Sequence, residues 1–294
     1  MSANVTSTPL QTSPNIAFEF VRSLAGELTA GKVDLPSFPE IAIRVRRVLS
    51  DPKSSSDHVV RVVGSEPALA ARLMRIANSA SLNRSGRPVG DLRTAINRIG
   101  HNMVRSAAIS FAMAQIRNAN KLAGLERYLK DIWECSTVVA AYSLVLARTY
   151  SKVNPDEAML AGIMHGIGKL YVLTRAISHP ELFVDTAVLD GILKDWHASI
   201  GKAILENWEF SEEMATAVGD QNDHTRDGPG APDLRDVIAV AIVLASHHTD
   251  ADGIDEELDG LPTAKRFGLN KERARLMMRE CAVEVAALTN ALGD

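Results

Sequence analysis

Residues 64–80 read GSEPALAARLMRIANSA, a helix written out with its punctuation. Ser65 is the expected cap, and Pro67 suits a first turn, where the missing N–H has no helical partner to lose. Leu69, Leu73 and Ile76 recur at helical spacing, the stripe of a helix packed on one side. Asn78-Ser79-Ala80 then ends the periodicity with turn-forming residues. The same pattern extends upstream. A short helix at 57–63 follows the loop SDPKSSSD (50–57). Before it, Ile41, Val45, Val48 and Leu49 form the inner face of another helix, with Arg44, Arg46 and Arg47 on or near its wet side. That helix is entered through LPSFPE (35–40), whose two prolines fix φ and remove donors, with Ser37 as cap. Phe20, Leu24 and Leu28 mark an earlier helix closed by Gly31. Downstream of the loop SLNRSGRPVGD (81–91), Asp91 caps a helix that Gly100 closes, and Met103 to Ile116 form the next.

The remainder is written in the same way. Trp133 to Tyr150 reads as a long helix. Asn154-Pro155-Asp156-Glu157 is a helix start with cap, first-turn proline and dipole-matching acids, and the helix is expected to run on through AMLAGIMHGIGKLYVL (158–173). Further helices are expected at 180–195, 197–208 and 211–222. HTRDGPGAPD (224–233) reads as a loop, 234–248 as a buried helix, 250–260 as an acidic linker. In the last helix, about 270–292, Met277, Cys281, Val285, Leu288 and Leu292 share a face. Such a stripe more often meets its own core than a second subunit. No β-alternation or internal repeat appears, so the fold class is all-α. The expected organisation is a disordered tail (1–15), an N-terminal helical lobe (16–118), a second helical lobe (119–249), and a linker with a C-terminal helix (250–294).

The chain has 294 residues, 46% hydrophobic and 23% charged, which supports a core and excludes wholesale disorder. No stretch approaches the length of a membrane span, and the N-terminus lacks the pattern of a secretory signal. Cys135 and Cys281 stand far apart, which fits a reduced, cytoplasmic setting. The net charge of −4 is uneven: residues 37–120 hold 13 Lys/Arg against 5 Asp/Glu. This basic lobe includes Arg72, Arg75, Arg84, Arg87, Arg93 and Arg98. It suggests an anionic partner, attraction to the acidic remainder, or solvated helix faces. Nucleic acid fits poorly, because Phe38 and Phe111 are the only aromatics in that span and no base-stacking platform is available.

One constellation carries chemistry. Met164-His165-Gly166-Ile167-Gly168-Lys169 is preceded by Trp133-Glu134-Cys135-Ser136 and followed by Trp196-His197-Ala198-Ser199 and Gly219-Asp220-Gln221-Asn222. The first lobe adds the segment 64–80, the Pro-x-x-Pro entry at 36–39 and Ala95-Ile96…Ile99-Gly100. In order and spacing over roughly 24–225, this set resembles the HDOD family, regulatory relatives of the HD and HD-GYP phosphohydrolases. The resemblance implies an HD-domain-like helical bundle with a smaller N-terminal helical lobe.

It also implies where a metal site would stand. Active HD enzymes hold divalent ions with a His, a His-Asp doublet, further His positions and a final Asp, and the metal activates water and neutralises phosphate. The first His position falls on Cys135. The doublet falls on His165 and Gly166, so its carboxylate is missing. The next His falls on His197, and the His-His position on Gln221-Asn222 or Asp220-Gln221. The final Asp falls within 239–246, which contains no acid. Lys169 matches the basic residue after the doublet and would pair with an acid or bind an anion. His224, His247 and His248 would replace lost ligands only if their segments folded over His165. Otherwise the last two cap a helix end.

The resulting expectation is a non-catalytic signal-transduction module with a degenerate HD site, no metal and no cofactor. Its partner would be a signalling protein, with a cyclic dinucleotide as a second candidate ligand. The candidate contacts are Arg75, Asn78, Ser79, Arg84 and Arg87, unless Asn78 and Ser79 merely form a cap and turn. The alternative is a metal-dependent phosphohydrolase or phosphodiesterase with a rebuilt site.

Overall fold

A computed structural model of the protein describes residues 14–30, 40–51, 53–79, 87–117, 125–184, 186–254, 258 and 261–293. Residues 1–13 of the expected tail, the segment 35–39, Arg84 with most of the 81–91 loop, and part of the acidic linker lie outside them. The described residues are mostly helical, without a strand among them, so the all-α class holds. The first lobe comprises α2 (Glu40–Ser50), α3 (Ser56–Gly64), α4 (Pro67–Ala77) and the first part of α5 (Leu92–Arg117). Its core is Ile41, Val45, Val48, Val59, Val63, Leu69, Leu73, Ile76 and Ile96, the faces that the periodicity marks. Ahead of it runs α1 (Pro14–Thr29). This helix is anchored on the second lobe: Glu27 accepts from Tyr171 and Arg175, and Phe20 meets the His179 ring edge-on at 5.2 Å.

The second lobe is built from α6 (Glu126–Tyr150), α7 (Pro155–Met164), α8 (Ile167–Ala176), α9 (Thr186–Asn207), α10 (Glu212–Gly219) and α11 (Leu234–Ser246). The short α12 (Pro262–Arg266) and the long α13 (Lys271–Gly293) follow. Met277, Cys281, Val285 and Leu288 of α13 are buried, so that face packs within the chain, and Arg148 of α6 grips Glu284 through two hydrogen bonds of 2.6 and 2.7 Å. No described helix is long and apolar enough to cross a membrane.

Local chemistry sets the helix ends. Asn154 Oδ1 accepts from the N–H groups of Asp156 and Glu157, and Asp91 Oδ1 accepts from Thr94 N at 2.8 Å, both as their positions predict. Gly100 stands at φ 79°, ψ 163° and kinks α5, a conformation open to glycine alone.

Three expectations need correction. Ser65 does not cap α4: the cap position is Glu66, and the Ser65 hydroxyl donates back to Val62 O at 2.7 Å, closing α3 instead. The helix expected through 158–173 breaks at His165-Gly166 into α7 and α8, with Gly166 at φ −85°, ψ 0°. The separate helices at 180–195 and 197–208 are a short 3-10 turn at Pro180–Phe183 and one continuous α9. Trp196-His197 contains no breaker, so nothing interrupts α9 there.

Candidate functional site

The lobe's interior opens on one side into a pocket of about 680 Å³. Three close contacts shape its floor. A Cβ on Gly162 would lie 2.6 Å from Ala140 Cα, drawing α7 onto α6. A Cβ on Gly168 would lie 1.9 Å from His197 O, and one on Gly201 would lie 2.9 Å from Val218 Cγ1. Glycine at these positions lets α8 approach the backbone of α9 and lets α9 seat against Val218 of α10. That approach brings the end of α7 and the middle of α9 to the same cavity.

Cys135, His165, Lys169, His197, Gln221 and Asn222 all line this pocket, so the residues singled out in the sequence converge. His224 lines it as well, while His247 and His248 do not. His247 forms the C-cap of α11, and His248 Nδ1 pairs with Tyr142 OH at 3.2 Å. Gly166 is not on the pocket wall. A Cβ there would face α6, 2.9 Å from Ser136 Oγ and 3.1 Å from Ile132 Cγ2.

The imidazoles are fixed by the backbone. His165 Nδ1 donates to Gly162 O at 2.7 Å, and His197 Nδ1 donates to Leu193 O at 2.7 Å and Lys194 O at 3.1 Å. Each neutral ring therefore turns Nε2 outward as an acceptor. Burial, reinforced by the Lys169 charge, pushes His165 down to about 3. The same two causes lower His197. Cys135 is reached by solvent, with its Sγ 3.9 Å from His165 Nε2. The surrounding protein raises its thiol, Lys169 opposing, so a thiolate is disfavoured. Gln221 Nε2 donates to Val218 O at 2.7 Å and His165 O at 3.2 Å, tying the start of the 221–233 segment to the end of α7.

The sequence reading missed the pocket rim. Asp190, Lys194 and Asp195 stand there exposed, with Leu193 and Ile242 inside them. Asp190, Lys194 and His197 share one helix face at i, i+4 and i+7, a signal hidden once the chain is divided at 196. The loop over the pocket is held by ion pairs. Buried Asp236 meets Arg226 Nη1 at 2.6 Å and Arg266 Nε at 3.1 Å, while Thr263 donates to His224 O at 3.1 Å.

This donor set does not fit a divalent-metal pair. Inside the exposed rim of Asp190 and Asp195 it offers two imidazoles, a protonated thiol and amides, where hard cations need carboxylates. Among the described residues no three His, Cys, Asp or Glu side chains group as metal ligands.

In the first lobe, Asn78 clamps both backbone groups of Val89, accepting from its N–H at 2.7 Å and donating to its carbonyl at 3.1 Å. Ser79 donates to Ile76 O at 2.7 Å. Both side chains act as a turn and cap. They hold the stretch that carries Arg87, whose carbonyl also accepts from Arg98 at 3.0 Å.

Comparison with known proteins places this architecture. A structure from Shewanella amazonensis SB2B, provisionally named a metal-dependent phosphohydrolase, is 28% identical with a TM-score of 0.77, covering 95% of this chain and 99% of that one. A Marinobacter aquaeolei VT8 protein, provisionally named for signal transduction, is 20% identical at TM-score 0.61, covering 97% of this chain and 68% of its own. An HDOD domain protein of Geobacter sulfurreducens is 18% identical at TM-score 0.62, covering 95% and 96%. The last two share the fold. No curated protein sequence matches the chain. The HDOD domain matches residues 35–224, well over half of the chain. With the ordered motifs of both lobes, that match means the protein belongs to the HDOD family.

Proposed function

We propose that the protein is a non-catalytic regulatory module of signal transduction that acts by binding a protein partner or a nucleotide. One observation carries this reading. The position beside His165 that would bear a metal-bridging carboxylate is Gly166, directed at Ser136 and Ile132 of α6 and away from the pocket. Neutral imidazoles and a protonated thiol are poor anchors for Mg²⁺ or Mn²⁺, and the carboxylates of the pocket, Asp190 and Asp195, stand exposed at its rim. The cytoplasm is the compartment in which such a module would meet its partner, and the basic first lobe with Arg75 and Arg87 is its proposed docking face.

A second reading, a phosphohydrolase with a rebuilt site, is favoured by the name of the 28%-identical neighbour and by the approach of Cys135 to His165. Metal analysis of the purified protein, with hydrolysis of a generic phosphodiester in the presence of Mn²⁺, separates the two. The regulatory reading expects no stoichiometric metal and no turnover. It also expects Gly166→Asp to gain neither, and to lose about 1–3 kcal/mol of stability because Ser136 and Ile132 must yield. Stoichiometric metal with turnover abolished in His165→Ala would overturn it.

A further inference from the structure

The pocket floor is rich in acceptors and poor in donors. His165 and His197 each give Nδ1–H to a backbone carbonyl, which leaves Nε2 as the acceptor of each ring, that of His197 beside the Gln221 side chain. Among the described residues, His165 Nε2 is met by the Cys135 sulfur at 3.9 Å, a weak donor at that range. Gln221 is 1% exposed, and its amide is oriented by the two carbonyls that accept from Nε2. Its Oε1 is left buried with no hydrogen-bond partner. A buried acceptor without a donor is unfavourable, and such an atom calls for a partner: an ordered water, an ion or a ligand group.

Positive charge stands beside these acceptors. Lys169 is half-buried in the same pocket as both imidazoles. Among the described residues no ion pair engages its ammonium group. At the mouth, Asp190 and Asp195 oppose long polyanions. A volume of about 680 Å³ suits a molecule of nucleotide size or smaller.

We propose that this pocket binds a small molecule carrying one anionic group, seated on Lys169, next to N–H donors that meet Gln221 Oε1 and the two Nε2 atoms. The inference rests on the regulatory reading, since it needs the floor free of metal. A nucleoside monophosphate with an amino-bearing base and a free amino acid both present this chemistry.

Calorimetric titration of the full chain tests it with four probes: guanosine 5′-monophosphate, L-serine, guanosine and methyl phosphate. The expected result is binding of one of the first two, at least about tenfold tighter than methyl phosphate, which has the charge but no N–H donor. If the nucleotide is the binder, guanosine, which lacks the anion, is weaker by a similar factor. Which of the two binds identifies the source. Lys169→Met, with an unchanged melting temperature, should weaken that binding about tenfold. Equal binding of methyl phosphate, or binding indifferent to Lys169→Met, overturns the proposal. So does the absence of binding by all four probes in a protein that holds no metal and turns nothing over, and the regulatory reading then stands on a protein partner. Metal-dependent turnover overturns the regulatory reading itself.

Discussion

His165 shows how one side chain can be read twice. In the sequence it is half of a broken metal doublet; in the fold it is a neutral imidazole, 3% exposed, anchored to Gly162 O. Burial and the Lys169 charge depress it to about 3 from an ordinary 6.5. Between those values the unfolded chain binds a proton that the native state refuses. Stability must therefore fall as pH drops below 6.5, with a slope approaching about 1.4 kcal/mol per pH unit, or about 2 kcal/mol by pH 5. Above pH 7 the group is neutral in both states and contributes no slope. Denaturant unfolding at a series of pH values between 8 and 5 checks this. His165→Gln should lose most of the slope, leaving the part that comes from His197, which is lowered for the same reasons. An unchanged slope would mean that His165 protonates freely in the native protein. The pocket residues were legible because their spacing follows a family pattern. What the sequence concealed was direction: nothing in His165-Gly166 says that position 166 faces Ser136 while Nε2 faces the cavity.

At the scale of elements, helix existence was easier to read than helix junctions. Asn154 and Asp91 are caps whose partners lie within three residues, so local sequence decides them. The break between α7 and α8 is followed by a contact whose partner is distant in sequence. Gly168 must pass so close to α9 that a Cβ would lie 1.9 Å from His197 O and 2.8 Å from His197 C. Both of those atoms are backbone, so neither can swing aside. Gly168→Ala must therefore push α8 off α9, opening the interface beneath the pocket. A loss of more than about 3 kcal/mol is expected, well beyond the helix-propensity gain of about 1 kcal/mol that alanine brings. The contrasting substitution is Gly191→Ala, on an exposed stretch of α9 with open space around it, which should be neutral or slightly stabilising. Thermal unfolding of the two variants compares them directly. Similar melting temperatures would show that the contact between α8 and α9 is slack.

At the scale of the molecule, the N-terminal helices meet the helices around the pocket through buried apolar surface and through several polar contacts, of which the clasp at Arg46 is one. Arg46 of α2 donates to Trp208 O, lies 3.5 Å from the Glu209 carboxylate and stacks its guanidinium 5.8 Å from the Phe210 ring. These three residues form the turn between α9 and α10, the two helices that lead into His197 and Gln221. The basic excess of the first lobe pointed toward attraction between lobes or a solvated face, and Arg46 serves the first. Its contributions are unequal. The Glu209 side chain is 85% exposed, so its ion pair is worth little in water. The bond to Trp208 O is charge-assisted and partly shielded, worth about 1.5–3 kcal/mol. Glu209 also sits at φ 56°, a strained conformation for a residue with a Cβ. Two variants separate these effects. Arg46→Ala should lower stability by roughly 1.5–3 kcal/mol, and Arg46→Lys should recover only part of it, because an ammonium cannot fork or stack as guanidinium does. Glu209→Gly should be neutral or stabilising by up to about 1 kcal/mol, relieving the backbone while losing a weak pair. If Glu209→Gly instead destabilised as much as Arg46→Ala, the clasp would be an ion pair after all, and raising the salt concentration would weaken it in parallel.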